Sequence, residues 1–166
     1  MDPTKEALQD LVKQIATSAK KNVRKNGGLD PVALIFGETL SESKGLVLDL
    51  TSEKSTAASY QAMRVTVKEM HAVAVVVVKD GEMIFAENDE EAQSIYDASE
   101  HPRKKHFISI QASTPIVNHE IMIEYSAKGS VSQLARNTMY CQKNPVTSHV
   151  AYGALFTNLQ GKTLCS

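Results

Sequence analysis

The feature that most limits what this chain can become is the apolar run HAVAVVVV, from His71 to Val78. A membrane-crossing helix needs about 20 apolar residues, so the run is too short to span a bilayer. Four successive valines are stiff at χ1 and favour an extended chain over a helix. A strand with no polar alternation offers neither face to water, so it belongs in the centre of a sheet. Lys79-Asp80-Gly81-Glu82 follows, and Asp-Gly accepts the positive φ angles of a type I′ turn. The spacing therefore predicts a hairpin, with EMIFAE (82–87) as the returning strand.

The segments around this pair alternate between helix and strand. DPTKEALQDLVKQIATSAKKNVRKNGG reads as a helix over residues 1–27. Asp2 is placed to cap it, and Pro3 suits the first helical position. Leu8, Leu11, Val12, Ile15, Ala19 and Val23 form one apolar stripe. Lys20, Lys21, Arg24 and Lys25 lie near the C-terminal end, where they complement the helix dipole, and Gly27-Gly28 ends the helix. PVALIFG and GLVLDL read as an antiparallel pair of strands joined by ETLSESK. SEKSTAASYQAMRVTVKEM reads as a second helix capped by Thr51 or Ser52, with Tyr60, Met63, Val67 and Met70 on its apolar face.

A short helix is expected around Glu90–Ala98, closed by Pro102. HFISIQA and IVNHEIMIEYSA are two further strands joined through Ser113-Thr114-Pro115. In the second, Val117, His119, Ile121, Ile123 and Tyr125 share one face, and Asn118, Glu120, Met122 and Glu124 the other. Ser130 and Gln133 match a capping box opening another short helix. HVAYGALFTNL is either a strand with a glycine kink or a docked tail, and residues 145–166 are the least defined.

The expected architecture is a single α+β domain over residues 1–166. A mostly antiparallel sheet of about six strands is flanked by two longer helices and one or two short ones. The chain carries no internal repeat and no interdomain linker. In its order of elements it resembles roadblock and profilin-like domains, which implies a dimerising scaffold; no residue motif carries the resemblance.

Charge is unevenly distributed beneath a formal net charge of −1. Residues 31–100 hold five Lys/Arg against thirteen Asp/Glu, and residues 101–166 hold seven against two. Such segregation suits intramolecular pairing, self-association or a basic surface for an anionic partner. Two cysteines, Cys141 and Cys165, make no disulfide framework and are expected as free thiols. With no apolar leader at the N-terminus and no Asn-x-Ser/Thr sequon, a cytoplasmic protein without a membrane partner is expected.

The chemical motifs are weak. HEIMI starts like a zinc-protease signature, but position 123 is Ile and the surrounding alternation is that of a strand. SESK, Ser41–Lys44, lies between strands instead of opening a helix. Asp89-Glu90-Glu91 lacks calcium-loop spacing. No phosphate loop, nucleophile elbow or dinucleotide fingerprint occurs. No cofactor, metal site or catalytic residue is therefore assigned. His119, His149 and Cys141 are the only assets visible for an enzyme. HPRKKH remains as a candidate contact for an anion or an acidic partner. It groups Arg103, Lys104 and Lys105 between His101 and His106 at the entry to a strand.

These readings point to a non-enzymatic interaction or scaffold module, self-associating or bound to another protein. The alternatives are an accessory nucleic-acid binder using the basic last third, and an enzyme of unreadable class.

Overall fold

The apolar run becomes β3 (Ala74–Met83), third in a six-stranded antiparallel sheet. The computed structural model describes residues 3–83, 90, 105–126 and 138–141, the last four by backbone alone. The sheet contains β1 (Val32–Phe36), β2 (Ser43–Val47), β4 (Lys105–Ser113), β5 (Val117–Tyr125) and β6 (Thr138–Cys141), in the order β2-β1-β3-β4-β5-β6. Two helices, α1 (Lys5–Asn26) and α2 (Glu53–Glu69), cover opposite faces. The fold is a single-domain α+β arrangement, as expected.

Ala74 through Val78 are all buried, and they serve two cores. Ala74, Val76 and Val78 pack with Leu8, Val12, Ala19 and Val23 of α1 and with Ile108, Ile110 and Ile123 of β4 and β5. Val75 and Val77 turn the other way, against Met63 and Val67 of α2 and Ala33 and Ile35 of β1. Burial on both faces accounts for the unbroken valines.

Both helices are closed by local chemistry. Thr4, and not Asp2, caps α1: its hydroxyl accepts from the Ala7 amide at 3.1 Å. Gly27 ends the helix at φ 79°, a left-handed conformation that glycine adopts without strain. Ser52 caps α2 in a reciprocal box with Ser55, while Thr51 bonds to Asp49.

The Asp-Gly hairpin does not form. β3 runs straight through Lys79–Glu82 to Met83, and its partner is β4, with Gly81 opposite Phe107 and Glu82 opposite His106. Gly81 does not adopt a positive φ. The carboxylate of Asp80 is instead held by tertiary contacts described below, which favour the extended chain over the turn. Glu82 and Met83 thus belong to β3, and residues 84–87 lie outside the described residues. The sixth strand is β6, which pairs with β5 and was not anticipated as a strand. The second strand also lies earlier than its apolar residues suggest, because Ser43 and Lys44 pair with Phe36 and Ile35. The short helices expected near Glu90–Ala98 and Ser130, and the tail 145–166, fall outside the described residues apart from Glu90.

Replacing Ile110, fully buried between β3 and β5, with Ala is expected to cost about 2–5 kcal/mol of stability. Val65→Ala, at a position 44% exposed on α2, should stay within about 0.5 kcal/mol. Urea unfolding of the two variants checks the contrast.

Candidate functional site

Strand alternation sends Asp80 and Glu82 of β3, His106 of β4 and Tyr125 of β5 to the face covered by α1, at the end of the sheet nearest Gly28 and Leu29. Apolar residues give way to polar ones there, and the polar groups satisfy one another. The Tyr125 hydroxyl donates to Asp80 Oδ2 at 2.9 Å. The Leu29 amide, just past the end of α1, donates to the same oxygen at 3.0 Å. A Cβ at Gly28 would meet that oxygen at 3.0 Å, so glycine there lets the loop approach Asp80 closely. The His106 ring lies 5.4 Å from the Tyr125 ring at an angle of 32°. Its Nδ1 is 3.8 Å from Glu82 Oε1.

Burial, the hydrogen bond to Asp80 and the negative charges of Asp80 and Glu82 push the Tyr125 phenol up to about 12. It therefore stays neutral at ordinary pH and acts as a donor. The arrangement ties the α1–β1 loop to β3 and β5, and it does not prepare a nucleophile.

The HPRKKH candidate divides at this point. His101, Arg103 and Lys104 lie outside the described residues. Lys105 and His106 are the first two residues of β4 and face acidic neighbours across the sheet. Lys105 Nζ is 3.3 Å from Glu124 Oε1. Lys105 points away from the α1 face and His106 towards it, so the two do not form one patch.

His119 is buried on the α1 face of β5, and its Nδ1 has no hydrogen-bond partner among the described residues. Burial, with a smaller contribution from the charge of Lys5, lowers its pKa below 6.5. Cys141 lies on β6 opposite Val117, two residues along the ladder from the His119–Met139 pair. His149 lies outside the described residues. No group of three or more metal-ligating side chains occurs among the described residues. No helix among them is long and apolar enough to cross a membrane.

Sequence reasoning missed the surface beside α1. The helix packs over β4 and β5, and a groove of about 800 Å3 separates its second half from β1 and β3. Its walls are mixed: Ile15, Val32 and Leu34 are apolar, and Asn22, Asn26 and Asp80 are polar. Beyond Leu34 and Val32 lies β2, whose residues are exposed except for Leu46, which is half-buried. Val47 pairs with Val32, stands on the same face as the groove, and is 79% exposed. In sequence, Val47 is one of the apolar residues in GLVLDL, and nothing there marks it as exposed.

No protein-family model, no curated protein and no solved structure matches the chain. The functional reading thus rests on the residues themselves.

Two pH responses follow from these sites. The folded state holds Tyr125 above its ordinary value of 10.0, so its contribution to stability is complete below about pH 10 and is lost as pH rises towards 12. Tyr125→Phe should flatten that alkaline loss in thermal melts and remove the latest-titrating phenol from the absorbance titration. His119 has the opposite sign of shift: its folded pKa is lowered, so stability is present above 6.5 and is lost as pH falls through the folded value. His119→Leu should reduce the acid slope of the melting temperature between pH 7 and 5; an unchanged slope would place that acid sensitivity elsewhere.

Proposed function

We propose that this chain is a non-enzymatic interaction module that self-associates and acts through its surfaces. One observation carries the reading: an exposed edge strand bearing Val47, 79% exposed, beside the apolar residues Val32 and Leu34 that line one wall of the groove. Exposed apolar surface joined to an open sheet edge is the kind of surface that other chains cover. The polar cluster supports the same reading, because Asp80 and Tyr125 are engaged with each other and with the α1–β1 loop.

A nucleic-acid role would draw on the basic last third of the chain. Lys105, the described member of its Arg/Lys trio, already faces Glu124. The self-association reading is therefore preferred.

Light scattering behind size exclusion, with absorbance at 260 and 280 nm, tests the proposal on protein purified from its native host. The expected result is a species of about twice the 18.1 kDa chain mass with no excess at 260 nm. A monomer at every concentration would overturn the proposal. A 260 nm excess that high salt removes would favour the nucleic-acid reading instead.

A further inference from the structure

We infer that two copies join through β2, strand against antiparallel strand, about a two-fold axis at Gly45. The inference rests on the self-association proposed above and names the surface that performs it.

The hydrogen-bond phase of β2 is the first argument. Gly37 N donates to Glu42 O at 2.9 Å, and Leu48 N donates to Pro31 O at 2.8 Å. These bonds bracket the β1–β2 ladder and make the even-numbered residues of β2 its inward-bonding positions. Ser43, Gly45 and Val47 therefore direct their amides and carbonyls to the open edge. All three are exposed, and among the described residues no hydrogen bond satisfies that edge.

The edge is also self-complementary. A two-fold at Gly45 sets Ser43 opposite the second copy's Val47 and Gly45 opposite itself. Every outward-bonding position then meets another, and all five residues of β2 are used. Lys44 faces the second copy's Leu46. A two-fold at Lys44 would bring two ammonium groups face to face, which is unfavourable. A two-fold at Leu46 would leave Ser43 beyond the end of the partner strand. Strand length and charge together select the Gly45 register.

This geometry also accounts for Val47. The axis stands perpendicular to the sheet, so both copies present their α1 faces on the same side. Val47, Val32 and Leu34 of each copy then line one valley between the two α1 helices, with paired Gly45 residues at its floor. The surface left uncovered in one chain becomes the interior wall of the pair.

Three variants of the full chain test the inference. In a background with Cys141 and Cys165 changed to Ser, Gly45→Cys should form an intermolecular disulfide on mild oxidation. Opposed residues of this kind lie about 5.5 Å apart at Cα, within disulfide reach. The new side chain has room, since a Cβ at Gly45 meets Leu34 Cδ2 at an ordinary 3.7 Å. Ser43→Cys in the same background should not cross-link, because its counterpart would lie about 14 Å away along the strand. Val47→Pro, in the natural background, removes an outward amide while sparing the β1–β2 ladder. It should abolish the dimer in sedimentation equilibrium and keep the far-ultraviolet dichroism of the wild type.

A wild-type dimer that survives Val47→Pro and resists cross-linking at Gly45 would overturn the β2 interface and leave self-association standing. Cross-linking through Ser43→Cys in place of Gly45→Cys would overturn the register. A wild type that stays monomeric would overturn both proposals. If Val47→Pro fails to fold, the two cysteine variants decide the matter alone.

Discussion

The burial of β3 on both faces is the constraint on which the rest of the structure depends. Ala74, Val76 and Val78 complete the core beneath α1, while Val75 and Val77 complete the one beneath α2. A strand that must be covered twice needs a helix on each side and a neighbouring strand at each edge. β1 and β4 supply the edges. Removing either helix would expose alternate valines, so neither layer stands without this strand. Each buried valine contributes roughly 1.5–3 kcal/mol relative to an exposed one.

Where the valines end, the same strand turns polar without leaving the sheet. Asp80 is tolerated there because the Leu29 amide and the Tyr125 hydroxyl both donate to it. A partly buried carboxylate without donors would be costly; with them it becomes a joint between a loop and two strands. The joint fixes where α1 ends relative to the sheet and so helps set the width of the groove beside the helix. The polar cluster and the groove are in this sense consequences of one packing decision.

Uneven coverage then gives the molecule its surface. α1 lies over β4 and β5, and β1 and β2 extend past it with Val32, Leu34 and Val47 on the uncovered side. A helix is about 10–12 Å wide with its side chains, whereas adjacent strands repeat every 4.7–4.9 Å, so one helix cannot cover six strands. The uncovered strands lie at the β2 edge among the described residues. Helix width and strand count thus bring an open edge and an exposed valine together, and the proposed function uses that pairing.

Much of the fold was legible in the chain because local patterns carried it. The stripe Leu8–Val23 sets the buried face of α1, Ser52 opens α2, and the alternation from Val117 to Tyr125 sorts β5 into two faces. The valine run alone determined a central strand, since seven successive apolar residues, Ala72 to Val78, suit a segment hidden on both sides. The candidate site was much less legible. Asp80-Gly81 has the chemistry of a turn, and only the donors from Leu29 and Tyr125, 51 and 45 residues away in sequence, hold the chain extended. Val47 carries the same apolar signal as its buried neighbour Leu48, and its exposure depends on where α1 comes to rest. Sequence by itself determined which residues avoid water and with what period, because those preferences belong to side chains and their spacing. Tertiary structure alone decided which apolar residues remain uncovered and which turn signal is overruled, because both depend on contacts between segments distant in the chain.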